Sequence, residues 1–92
     1  MNRSRLHIFY SGRVQGIGFR YTVNTLVRGF EVTGIVRNLW DGRVELVAEG
    51  TKTELEEFRR AIQDCEVGRF IRNEDASWSE ATGEFRGFDI VS

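Results

Sequence analysis

An α+β fold, a ferredoxin-like βαββαβ sandwich with an antiparallel sheet, two helices on one face and a short extra C-terminal strand, is what this 92-residue sequence predicts. Three observations point there. Stretches around Leu6–Tyr10, Val32–Leu39 and Arg43–Glu49 are β-branched or alternate apolar and polar residues, whereas Phe19–Phe30 and Leu55–Cys65 repeat their apolar residues at helical spacing. The resulting order, β-α-β-β-α-β with a closing strand, is that of a split β-α-β unit. A composition of 40% apolar and 29% charged residues, with no linker, repeat or low-complexity segment, places that order in one soluble domain over residues 1–92.

The first strand is expected over Arg5–Ser11, with Leu6, Ile8 and Tyr10 on one face and His7 and Phe9 on the other. The first helix is expected from Phe19 to Arg28, with Phe19, Val23, Leu26, Val27 and then Phe30 as its apolar stripe and Gly29 as a left-handed terminator. Val32–Leu39 reads as the second strand, and Arg43–Glu49 as the third, joined by Trp40-Asp41-Gly42 with a type I′ signal. Thr51 and Thr53, each three residues before a glutamate, offer overlapping capping boxes for a second helix that buries Leu55, Phe58, Ile62 and Cys65. From Gly68 to Trp78 the pattern suggests a strand, but Arg72-Asn73-Glu74-Asp75 breaks its alternation. A turn over Ser79–Glu84 and a strand over Phe85–Val91 close the chain.

Several function classes fall away on composition. A net charge of −1 lacks the basic excess of a nucleic-acid binder. Cys65 is the only cysteine and His7 the only histidine, so disulfides, cysteine metal clusters and multi-histidine sites are excluded, and no metal ligand set is expected. No apolar run reaches membrane-span length and no signal-peptide core precedes the first strand, so the expectation is a cytoplasmic monomer without a membrane partner.

The most informative stretch is Gly12-Arg13-Val14-Gln15-Gly16-Ile17-Gly18-Phe19-Arg20, between the first strand and the first helix. Unpaired N–H groups converge at such a turn and the helix dipole adds positive potential. Gly12, Gly16 and Gly18 let the backbone curl around a small anion, and Arg20 in the first helical turn offers a bidentate fork. The stretch reads as an oxyanion cradle formed by Val14, Gln15, Gly16, Ile17, Gly18, Phe19 and Arg20, for phosphate above other anions. It lacks the Gly-Lys-Ser/Thr ending of a nucleotide P-loop, and Arg37-Asn38 stands where a dinucleotide fold needs an acid. Val14 occupies the place of a phosphatase nucleophile, and no Ser or Thr lies between Gly12 and Phe19, so water must attack directly.

In a split β-α-β unit the first two strands are parallel with the third between them, so their C-terminal ends share one side of the sheet. Asn38 therefore ends its strand beside the cradle. Its carboxamide can both accept and donate, which suits a water beside a bound phosphoryl group; equally, it can shape the turn before Asp41-Gly42.

Together, the Gly12–Arg20 motif, Gly34-Ile35-Val36-Arg37-Asn38 and Asp41-Gly42-Arg43-Val44-Glu45 strongly resemble the acylphosphatases. The resemblance covers residues 5–64 well and the closing strand moderately. It implies a ferredoxin-like sandwich, hydrolysis of the carboxyl-phosphate bond of small acyl phosphates, phosphate binding by Arg20 and the loop amides, and a water oriented by Asn38. Phe30-Glu31-Val32, Ile35 and Cys65-Glu66-Val67-Gly68 depart from the family pattern, outside the cradle. A carboxylate leaving group, with a conjugate-acid pKa of about 4, needs no general acid. No cofactor or metal is expected, and inorganic phosphate or sulfate is expected to inhibit. Gln15 either contacts substrate or braces the loop, Arg13 and Arg37 are candidates for anion steering, and Trp40 is a candidate wall on the acyl side. The competing reading is a non-catalytic phosphate- or RNA-binding module, although the third strand carries none of the aromatics that an RNA-recognition sheet uses.

Overall fold

A computed structural model describes residues 2–92. Its elements are β1 (Arg3–Gly12), α1 (Phe19–Leu26), β2 (Thr33–Asn38), β3 (Val44–Thr51), α2 (Lys52–Asp64), β4 (Ile71–Glu80) and β5 (Phe88–Ile90), with 3-10 turns at Val27–Gly29 and Glu66–Phe70. The sheet order is β4-β1-β3-β2-β5. Neighbours are antiparallel except β2 and β5, which run parallel, so the closing strand makes the sheet mixed. Among the described residues, no helix is long and apolar enough to cross a membrane.

Alternation along each strand sorts the side chains into two faces. Leu6, Ile8 and Tyr10 lie opposite Ala48, Leu46 and Val44, and Val36 lies opposite Leu46. This face joins Phe19 and Val23 of α1 and Leu55, Phe58 and Ile62 of α2 in one buried cluster, so both helices cover the same side. Phe58 is fully buried, with ring centres 5.5 Å from Phe30 and 5.9 Å from Phe88, and ties α2 to the closing strand. A ring buried in this way contributes about 1.5–3 kcal/mol.

The closing strand takes only Phe88–Ile90 of the expected Phe85–Val91, and four further local expectations need correction. α1 ends at Leu26, and Gly29 is not left-handed; the Phe30 N–H bonds to Val27 O at 3.0 Å, so a 3-10 turn closes the helix instead. The β2–β3 turn is not type I′, because Asp41 has no positive φ. Its centre is Trp40-Asp41, closed by Gly42 at φ 101°, and the Asp41 carboxylate accepts from the Arg43 N–H at 3.1 Å. Thr51 caps α2 by accepting from the Glu54 N–H at 3.3 Å, but no reciprocal box forms. The Glu54 carboxylate accepts instead from the Glu31 N–H at 2.8 Å, pinning α2 to the loop before β2. Finally, β4 runs on through Ser79 and Glu80, where a turn was expected. Its Glu74, Ala76 and Trp78 lie opposite Tyr10, Ile8 and Leu6, and Arg59 of α2 pairs with Glu74 at 2.6 Å, which lets a charged residue occupy the helix-facing side.

Gly34 is a required glycine inside β2. Its φ is 152°, and a Cβ there would stand 1.9 Å from the Val47 carbonyl oxygen of β3. Gly34→Ala is expected to cost about 3 kcal/mol or more, since the nearest atoms are backbone and cannot rotate away. Gly29→Ala, with open space and no positive φ, is the control and should be neutral or slightly stabilising. Urea unfolding of both variants checks the pair; equal midpoints would contradict the crowding at Gly34.

The other face of the sheet is covered by side chains and a strap. Glu49 is fully buried and accepts from Arg5 Nε at 2.8 Å, Thr82 N–H at 2.8 Å, Thr82 Oγ1 at 3.1 Å and Gly83 N–H at 3.0 Å. Burial pushes this carboxyl up, but these donors outweigh burial and hold it below its ordinary value of 4.5. A folded-state pKa below the unfolded one stabilises the fold fully above about pH 4.5, and that stabilisation is lost as pH falls towards the folded value. Glu49→Gln is therefore expected to lower stability at neutral pH and to flatten its decline below pH 4.5, read from urea midpoints across an acid series. A decline as steep as that of the wild type would mean that other carboxyls govern it.

Candidate active site

β1 ends in an irregularity between Ser11 and Gly12 that turns the chain out of the sheet. Gly12 has φ 126°, and a Cβ on it would meet Phe70 O at 2.4 Å, so the exit is closely packed against the segment before β4. The Arg13 N–H bonds to that same oxygen at 3.2 Å. Val14 then turns into the core and is fully buried, anchoring the base of the loop. Gln15 donates from Nε2 to Leu39 O at 2.6 Å and Arg43 O at 2.9 Å. Its side chain thus braces the loop against both ends of the β2–β3 turn.

Gly16 and Gly18 have φ of 78° and 82°, the left-handed region that lets successive N–H groups face one concavity. Nothing lies within 4 Å of a Cβ built on either, so glycine is favoured there by backbone conformation and not by crowding. Gly18 is the N-cap of α1 and supplies no side-chain cap, and the first turn carries no acid. The first N–H groups of α1 therefore keep their capacity for an external acceptor. Thr22 N–H closes the first turn onto Gly18 O at 3.0 Å.

Asn38 reaches the same place from β2. It shares the helix-facing side with Gly34 and Val36, four and two residues earlier on the strand, and so points towards the start of α1. Val14, Gly16, Gly18, Phe19, Arg20, Tyr21, Asn38 and Ile90 line one cleft of about 460 Å³. Arg20 has no carboxylate partner among the described residues. The Asn38 Oδ1 is buried and accepts from no protein donor. A buried acceptor left in that state costs about 1–3 kcal/mol, and the residue that carries it lines the same cleft as Arg20.

Of the residues expected at the site, Val14, Gly16, Gly18, Phe19, Arg20 and Asn38 line the cleft. Gln15 serves as the brace, and Ile17 is half-buried against the core. Arg37 is turned to the opposite face of the sheet, bonded to Glu45 at 2.6 Å, and His7 meets the same carboxylate at 2.6 Å. Trp40 is fully exposed at the turn and does not line the cleft. Arg13 is also outside it. Tyr21 and Ile90 line the cleft without having been singled out from the sequence. The position of Tyr21 next to Arg20 was a usable signal, whereas Ile90 depends on β5 docking beside β2. Among the described residues, no group of three or more His, Cys, Asp or Glu side chains is placed to hold a metal ion.

A family model described as Acylphosphatase matches residues 6–90. The acylphosphatase of Roseiflexus sp. (strain RS-1) is 40% identical over 94 residues, which span 99% of this chain and 98% of that protein. The crystal structure of acylphosphatase from Bacillus subtilis matches with a TM-score of 0.88 at 32% identity, over 97% of this chain and 99% of that one. Full-length HypF, in a phosphate- and nucleotide-bound form, contains a region of similar fold: TM-score 0.84 and 26% identity, over 98% of this chain and 12% of HypF.

Proposed function

The chain belongs to the acylphosphatase family and is an acyl phosphate hydrolase, and on that premise we propose that the Val14–Arg20 loop holds the phosphoryl group while Asn38 positions the attacking water. The observation that carries this reading is the meeting of Arg20 and Asn38, whose Oδ1 has no protein donor, as lining residues of one cleft at the start of α1.

The substrate phosphoryl oxygens sit against the N–H groups of the loop and the first turn of α1, with the Arg20 guanidinium forked across two of them. These donors are fixed before substrate arrives, so charge that moves onto the phosphoryl oxygens meets dipoles already in place. Water donates a hydrogen bond to Asn38 Oδ1 and aims its lone pair at phosphorus. A new P–O bond forms from the water as the bond between phosphorus and the carboxyl oxygen breaks, and the bonding pair leaves with the carboxylate. The water proton passes to a phosphoryl oxygen, giving carboxylate and inorganic phosphate. No group of the protein needs to donate a proton, because the leaving carboxylate is a weak base.

The test is loss of benzoyl phosphate in the presence of purified protein, followed against the uncatalysed rate. Inorganic phosphate and sulfate are expected to inhibit competitively, since the loop reads the oxyanion, and rates with and without a chelator should agree. Binding of phosphate with no turnover would favour a non-catalytic module; activity lost on chelation and restored by magnesium or zinc would overturn the metal-free route.

A further inference from the structure

We propose that Tyr21 and Ile90 form the acyl side of this cleft and make the enzyme prefer acyl phosphates whose acyl group is flat and apolar, such as an aromatic carboxyl phosphate. The inference rests on the phosphate-binding role of the loop given above. A cleft of about 460 Å³ falls in the range that holds whole small molecules, so it has room for more than the transferred group. Its polar features, Arg20, Asn38 and the backbone at Gly16 and Gly18, belong to the phosphate end. Of its apolar lining, Val14 is 0% exposed and Phe19 is 2% exposed, so both are spent on the core and offer almost no surface to a ligand. That leaves Ile90 and Tyr21, which also borders a shallow groove with Thr22, Thr25 and Leu26 along α1.

Tyr21 is 75% exposed, an unusual state for a large ring. Trp40 and Trp78 are the other large exposed rings among the described residues, and neither borders this cleft. Tyr21 follows Arg20 directly in the first turn of α1, and Ile90 comes from β5, the strand beside the one that carries Asn38. In an acyl phosphate a single bridging oxygen separates phosphorus from the carboxyl carbon. A phosphoryl group held by Arg20 therefore leaves its acyl group within reach of the neighbouring residue on the helix. A ring lying against the acyl group, with an aliphatic side chain at the same wall, discriminates flat apolar acyl groups from acetyl by area and by ring contact.

The experiment measures kcat/KM for benzoyl phosphate and for acetyl phosphate in the wild type, Tyr21→Phe and Tyr21→Ser. The benzoyl-to-acetyl ratio is expected to fall about three- to tenfold in Tyr21→Ser and to be retained in Tyr21→Phe, with the inhibition constant for inorganic phosphate within about twofold of wild type in both. In the wild-type protein itself, phenylphosphonate should inhibit about three- to tenfold more tightly than methylphosphonate, a comparison that needs no variant. A ratio unchanged in Tyr21→Ser, or equal inhibition by the two phosphonates, overturns the acyl assignment and leaves the phosphate site standing. A wild-type protein that hydrolyses neither substrate overturns the underlying reading and this inference with it.

Discussion

Arg20→Lys is expected to lower kcat/KM for an acyl phosphate by about a thousandfold, a loss in the range seen for single charge-stabilising groups in phosphoryl and acyl transfer. The reason lies in shape more than in charge. A lysine ammonium is a point donor, whereas the guanidinium presents a planar fork that matches two phosphoryl oxygens at once. Arg20→Gln removes the charge as well and should weaken binding of inorganic phosphate together with turnover, because the contact exists in the bound substrate and in the transition state alike. The fold should not suffer. Arg20 has no side-chain partner within the described protein, and surface substitutions of that kind usually change stability by no more than about 0.5 kcal/mol. Phosphate should therefore raise the melting temperature of the wild type but not that of Arg20→Gln, as expected for a ligand that binds only the native state. A variant with wild-type kinetics and an intact phosphate response would remove Arg20 from the site.

Asn38→Ala is expected to separate the steps that Arg20 joins. Losing one well-placed polar group in a site typically costs about two to three orders of magnitude in kcat. Here the phosphate affinity should stay nearly unchanged, because Asn38 is proposed to touch the water and not the phosphoryl group, and a loss confined to turnover marks an interaction made in the transition state. The variant also removes a buried acceptor that has no protein donor, so its stability should hold or rise slightly. The brace from Gln15 to Leu39 O and Arg43 O remains in place, so the turn beyond residue 38 keeps its anchor. Near-wild-type kcat in a folded Asn38→Ala protein would leave Asn38 as a turn residue only.

The shape of the Gly12–Arg20 loop was legible in the sequence because its determinants are local. Glycines at 16 and 18 announce positive φ, and an arginine two residues after Gly18 falls in the first turn of the helix that follows. Asn38 needed one further step, the parallel course of β1 and β2 on either side of β3, which the order of elements already implied. What stayed hidden depends on partners distant in sequence. Glu45 and Glu49 are polar members of an alternating strand, yet both are buried, one under Arg37 and His7 and the other under Thr82 and Gly83. The Asp-Gly pair at 41 and 42 suits more than one turn, and the one adopted carries the Asp41 bond to the Arg43 N–H. Ile90 enters the cleft only because three residues of β5 attach in parallel to the far edge of β2.

That late attachment has a bearing on how the chain is made. β1, β3 and β2 pair with one another and are complete by Thr51, but the outer flank of β1 waits for β4 and that of β2 for β5. During synthesis, at about 5–20 residues per second, the growing polypeptide therefore passes through an interval with two unpaired strand edges and a partly covered apolar face. The loop, Arg20 and Asn38 all precede that interval, whereas Ile90 follows it. The loop proposed to hold the anion thus precedes the wall beside it in the order of translation.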